Sequence, residues 1–178
     1  MLPNPDALQR VIDFLLKHEI PYMVIGGRAN SVWGEVRLTQ DADFKVSIGD
    51  RPLAEFRALV AQHFQERQTA VPPRLQSAHV IHLWAAPGVA VDLLVSIFEY
   101  ERQAIERAVK VNIEGVSAQV CTAEDFVVHK AIANREQDWI DVERVLMRQK
   151  ANLDHAYIGK WVREFAEALE APEILVRY

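Results

Sequence analysis

Apolar residues recur along this chain at two spacings, and each spacing predicts an element. Leu8, Val11, Ile12, Leu15 and Leu16 follow Pro5 at a helical period, so a first amphipathic helix is expected before Pro21. Tyr22-Met23-Val24-Ile25 is a short unbroken apolar run and reads as a buried strand. A helix is expected from Gly27 to about Gly34, and a second strand from Asp41 to Val46. Gly49-Asp50 breaks that strand. Asp50 and Pro52 then open a helix with Leu53, Phe56, Val60 and Phe64 on its inner face. His79 to Ala85 and Val89 to Val95 flank Pro87-Gly88 as two strands of a hairpin. Glu99 to Val109 reads as helix. Val111 to Ile113 and Ser117 to Val120 flank Glu114-Gly115 as a small hairpin. Thr122-Ala123-Glu124-Asp125 is a capping start, and helices are expected at about 122–134, 136–149 and 153–170.

Mixed helix and strand therefore come first and helices alone come last. The expected fold is α/β (α+β): a mixed-sheet core over residues 1–120, flanked by helices, and a helical C-terminal part over 121–178. The size and balance of the chain agree, with 178 residues, half hydrophobic and a quarter charged. The apolar runs are far shorter than the ~20 residues of a membrane span. No basic-then-apolar signal pattern opens the sequence, so no membrane partner and a cytoplasmic location are expected. Cys121, the only cysteine, reads as a small core residue and leaves no internal disulfide or cysteine zinc site. A net charge of −5 disfavours non-specific nucleic-acid binding, although Arg28, Arg37 and Lys45 lie close in sequence to the acids discussed next.

Asp41 and Asp43 are one residue apart. On a strand they face the same side and present two carboxylates together, a donor set suited to Mg²⁺ shared with phosphate oxygens. Gly26-Gly27 stands between an apolar strand and a helix start, where bare backbone N–H groups suit a phosphate. Cradle and carboxylate pair together suggest handling of a nucleoside triphosphate. A third acid, Asp92, interrupts the apolar run Val89 to Val95. It is either a strand residue on an exposed face, an acid paired with an arginine, or a third carboxylate for a two-metal site.

The pattern Val24-Ile25-Gly26-Gly27, Gly34, Arg37, Thr39, Asp41-Ala42-Asp43 and Val91-Asp92-Leu93 resembles the DNA polymerase β-like nucleotidyltransferase superfamily. It is most similar to the abortive-infection type E toxin-like branch, whose helical signature is matched by Lys130, Ala133, Arg135 and Asp138. The resemblance implies Mg²⁺-dependent transfer of a nucleoside monophosphate from a nucleoside triphosphate to a hydroxyl on an RNA end, a protein or a small molecule. It assigns two Mg²⁺ ions to Asp41, Asp43 and Asp92, with Asp92 helping to activate the attacking hydroxyl. Gly26 and Gly27 would hold the triphosphate by their backbone, and Lys130 would reach it. Asp138 is a secondary candidate near the acceptor. The resemblance further implies a toxin–antitoxin or phage-defence setting with an antitoxin partner. Many superfamily members carry Gly-Ser at the turn. Gly27 here removes a side-chain contact but leaves the backbone cradle.

Two other activities fit the same residues: a nucleotide-binding regulatory module without catalysis, and a metal-dependent phosphohydrolase. Arg37 suits either a phosphate or the neutralisation of Asp41 and Asp43, and Thr39 suits ordering of the turn as well as nucleotide contact. Lys130 also reads as a lysine extending from a core face. His79 and His82, three apart, cannot form a ligand pair on one strand face. Trp33, Trp84, Trp139 and Trp161 read as packing residues. Glu101 reads as part of a solvated helix face, and Arg135, Glu136 and Asp138 as a solvated helix junction.

Overall fold

The structure is a computed structural model that describes residues 5–36, 41–70 and 77–178. Arg37 and Thr39 lie outside the described residues. The elements run α1 (Pro5–Lys17), β1 (Tyr22–Ile25), α2 (Gly26–Trp33), β2 (Ala42–Val46), α3 (Leu53–Ala61), β3 (Gln65–Glu66), β4 (Val80–Ala86), β5 (Val89–Val95) and α4 (Glu99–Glu106). They continue with β6 (Val109–Ile113), β7 (Val116–Val120), α5 (Ala123–Ala133), α6 (Glu136–Gln149), a 3-10 turn (Lys150–Asn152), α7 (His155–Ala168) and α8 (Glu173–Arg177). The hairpin β4–β5 and the three long C-terminal helices stand where the apolar spacing predicts them, while α4 ends at Glu106 and β6 begins at Val109, a position expected to be helical. The edge strand β3 and the short α8 carry no period long enough to be read. No described helix is long and apolar enough to cross a membrane.

The chain divides into two compact units, Met1–Arg28 with Leu38–Cys121 and Ala29–Arg37 with Thr122–Tyr178. The first holds a mixed α/β sheet in the order β3-β4-β5-β2-β1-β7-β6. β2 runs antiparallel to β1 and parallel to β5, and β1 runs parallel to β7. Alternation along the strands sends Phe44, Leu83 and Leu93 into the core, with Leu8, Ile12, Leu15 and Phe56 from the helices, all essentially without exposure. The other face carries α4. There Lys45 on β2 and Glu101 on α4 form a buried ion pair. Burial alone would raise the Glu101 carboxyl, but the Lys45 charge and the Ile97 and Phe98 amides hold it below its usual range. Glu101 is thus a buried partner and not a solvated helix residue, a correction that follows from the packing of α4 on β2.

The second unit is helical. Thr122 caps α5 by accepting from the Asp125 amide at 3.1 Å. Asn134 ends α5 in the left-handed region, and its side chain accepts from the Trp139 indole at 2.8 Å. The end of α2 is fastened to α6, where Gln149 donates to the Trp33 carbonyl at 2.9 Å and Arg148 to that of Gly34. A side chain at Gly34 would meet Asn30 Oδ1 at 2.7 Å and Val145 at 3.2 Å, so that contact needs glycine.

Candidate active site

The neighbouring strands β2 and β5 place two of the sequence-predicted acids, Asp43 and Asp92, side by side. Asp43 is the register partner of Ile25 on β1 and of Asp92 on β5. Register partners on adjacent parallel strands face the same side about 4.8 Å apart, so the carboxylates of Asp43 and Asp92 share a face. Asp41, exposed, precedes β2 by one residue and lies two positions from Asp43. β1 ends beside Asp43 and passes straight into Gly26, whose φ is +65°. A Cβ at Gly26 would stand 2.0 Å from Asp43 Oδ2. Glycine is required there twice over, for the left-handed backbone and for the space the carboxylate fills. α2 starts at this point, and no acidic side chain in its first turn opposes an anion.

Asp92 has two further partners that sequence reasoning missed. Arg67 Nη2 donates to Asp92 Oδ1 at 2.6 Å, and His82 Nδ1 lies 2.9 Å from the same oxygen. His82 is the β4 register partner of Asp92 across the hairpin. The guanidinium of Arg67 also lies over the Trp84 ring, 5.7 Å from its centre, and Trp84 is only partly buried. The Asp92 carboxylate is therefore paired with an arginine, one of the alternatives open at the sequence level, and stands in register with Asp43. In this arrangement no three His, Cys, Asp or Glu side chains among the described residues are gathered closely enough to hold a metal ion. Charges near the acids in sequence turn elsewhere, since Arg28 pairs with Glu114 at 2.9 Å and Lys45 with Glu101.

The donor set nevertheless fits a hard divalent cation. Asp43 and Asp92 bring like charges to directly opposed positions, an unfavourable arrangement that a cation relieves. The glycine turn beside them admits an oxygen-rich ligand where a side chain would block it. Asp41, Asp43 and Asp92 are the residues that would hold Mg²⁺.

In the helical unit, Lys130 Nζ lies 2.8 Å from both Asp138 Oδ1 and Asp141 Oδ2. Arg135 Nε reaches the other Asp138 oxygen at 2.6 Å. Asp138 and Asp141 are almost completely buried, so Asp138 belongs to a buried network and not to a solvated junction. Burial pushes its carboxyl up, but Arg135 and Lys130 more than offset this and hold it below its usual range.

Solved structures share this fold at low identity. The antibiotic-resistance factor ANT(2'')-Ia superposes with a TM-score of 0.63 at 12% identity, covering 95% of this chain and 94% of that one. Its complex with adenylyl-2''-tobramycin gives 0.59 at 11%, covering 93% and 98%. The lincosamide antibiotic adenylyltransferase LnuA, with lincomycin bound, gives 0.52 at 11%, covering 82% and 98%. No curated protein sequence matches the chain. Residues 4–177 match one family over nearly their whole length, and the chain belongs to it: the family described as nucleotidyl transferase of unknown function (DUF2204).

Proposed function

We propose that this nucleotidyltransferase uses Mg²⁺ to move a nucleoside monophosphate from a nucleoside triphosphate to a hydroxyl group of a small molecule. The observation that carries the reading is the register pairing of Asp43 with Asp92 beside the Gly26 turn. Mg²⁺ bound at these acids would neutralise charge on the triphosphate and on the departing pyrophosphate. Gly26 and Gly27 offer backbone to the phosphates. Asp92 receives the proton of the acceptor hydroxyl. The acceptor oxygen forms a bond to the α-phosphorus, and the bond to the pyrophosphate oxygen breaks. By resemblance Arg37 and Thr39 add nucleotide contacts. Lys130 carries two readings, a contact to the triphosphate and a counter-ion for Asp138 and Asp141.

A small-molecule acceptor is favoured over an RNA end or a protein because two proteins of similar fold hold antibiotics or an adenylylated antibiotic in their solved structures. A toxin–antitoxin setting with an antitoxin partner rests on the motif resemblance alone. Incubation with each α-labelled nucleoside triphosphate, Mg²⁺, a panel of hydroxylated small molecules, RNA and cell protein tests the proposal. Label is expected on a small molecule. Label confined to RNA or protein overturns the acceptor class. Nucleotide binding without transfer would leave a regulatory module, and phosphate release without an acceptor a phosphohydrolase.

Gly26→Ala will lower transfer about a hundredfold, because a shift of about 1 Å in a reacting group has that effect. It will also lower stability by about 2 kcal/mol through the left-handed backbone. Transfer kinetics and thermal melting read the two effects. Wild-type activity in this variant would show that the close approach of Gly26 to Asp43 is unimportant.

A further inference from the structure

We propose that Arg67 is a built-in counter-ion of Asp92 that sets how tightly the carboxylate site takes a divalent cation. This inference rests on the reading of Asp43 and Asp92 as cation ligands. It concerns a positioning residue, since Arg67 acts through Asp92.

Arg67 follows the two-residue edge strand β3 and is held in place by its own backbone. Its amide donates to the His82 carbonyl at 2.8 Å. That bond fixes its Cα beside β4, one strand away from Asp92. The guanidinium then crosses over Trp84 to reach Asp92 Oδ1. Both side chains are only about one-fifth to one-quarter exposed, so water screens the pair less than it would on an open surface. Arg67 Nε is buried with no hydrogen-bond partner among the described residues. Among the described residues the guanidinium is thus held by Asp92 Oδ1 and by the Trp84 ring.

The chemistry of that oxygen decides the rest. Asp92 Oδ1 faces two nitrogens, Arg67 Nη2 and His82 Nδ1. Arg67 Nη2 donates to this oxygen, so a cation that takes Asp92 through both oxygens must first displace the guanidinium. A guanidinium keeps its charge at every accessible pH, so Arg67 also repels an approaching cation. Both effects weaken cation binding, and replacing Arg67 by glutamine removes the charge and the charge-assisted bond. The same contact stabilises the protein without metal, because it offsets the repulsion between Asp92 and Asp43.

The test measures Mn²⁺ binding by calorimetry, without nucleotide, on wild type, Arg67→Lys, Arg67→Gln and Asp43→Asn. Arg67→Gln is expected to bind about tenfold more tightly than wild type, as loss of a charge-assisted hydrogen bond to a ligand oxygen implies. Arg67→Lys keeps the charge and loses the planar contact, so it is expected in between, about threefold tighter. A flat series, or weaker binding in Arg67→Gln, overturns the proposal and leaves Arg67 a clamp that ties the β3 edge to the sheet. If Arg67→Gln does not fold, Arg67→Lys decides alone, and affinity no greater than wild type overturns it. Asp43→Asn separates this inference from the reading beneath it. Loss of Mn²⁺ binding there with a flat Arg67 series sinks only the role of Arg67. Wild-type binding in Asp43→Asn sinks the carboxylate site itself.

Discussion

Asp43→Asn will lower nucleotidyl transfer about a thousandfold and leave the protein folded. The magnitude corresponds to roughly 4 kcal/mol of transition-state stabilisation, the scale expected when charge on a transferring phosphoryl group loses its clamp. Asparagine matches aspartate in size, so the space beside Gly26 stays filled. The substitution also removes one of two like charges at opposed register positions, Asp43 and Asp92. The melting temperature is therefore expected to stay within roughly 2 °C of wild type. Label transfer and thermal melting on the same preparation read both effects. Transfer at wild-type rate would exclude Asp43 from the chemistry. A large fall in melting temperature would mean that lost activity reports lost structure.

Lys130→Met will have the largest effect on stability. Its ammonium lies between two carboxylates that are essentially without exposure, Asp138 and Asp141. Removing one partner of a buried ion pair leaves uncompensated charge and costs about 3–5 kcal/mol. The urea midpoint is expected to fall by roughly 1–2 M at neutral pH. The deficit has a pH dependence with a definite sign. Asp138 titrates below its usual range in the folded protein, so its contribution is present above its unfolded value and lost as pH falls through the folded one. A protonated Asp138 needs no cation, so the variant approaches wild type only as pH falls past the ordinary aspartate range and through the lowered folded value. An unchanged midpoint at neutral pH would mean that the network adds nothing to stability. Lys130→Met combined with Asp141→Asn separates the structural role of the lysine from the proposed triphosphate contact. Recovery of stability without recovery of transfer would leave the triphosphate contact as its function. Recovery of both would make it structural.

Short-range order was legible because it is written in short-range chemistry. The Thr122 cap, the Pro87-Gly88 hairpin and the three C-terminal helices follow from turn residues and apolar period. Asp43 could be placed on a strand from the apolar residues around it, whereas Asp41, expected to open the same strand, falls one residue short of β2. Asp92 could be singled out because a charge in an apolar run needs a partner.

What pairs with Asp92 was decided elsewhere. Counting back from Ala86 opposite Val89, a regular hairpin would set Leu83 opposite Asp92. The irregularity between Trp84 and Ala86 slips the register by one, so His82 faces Asp92 instead. No local pattern announces that slip. Arg67 reaches Asp92 only because a strand of two residues adds to the edge of the sheet, and a strand that short has no period to read. Glu101 and Asp138 look solvated in sequence because each stands among other charged residues, and only the packing of α4 on β2 and of α5 with α6 buries them. The longer elements and the candidate acids could be read along the chain, since they depend on neighbours a few residues away. The tertiary structure alone decided which cation each acid holds, because register and packing join residues that are distant along the chain.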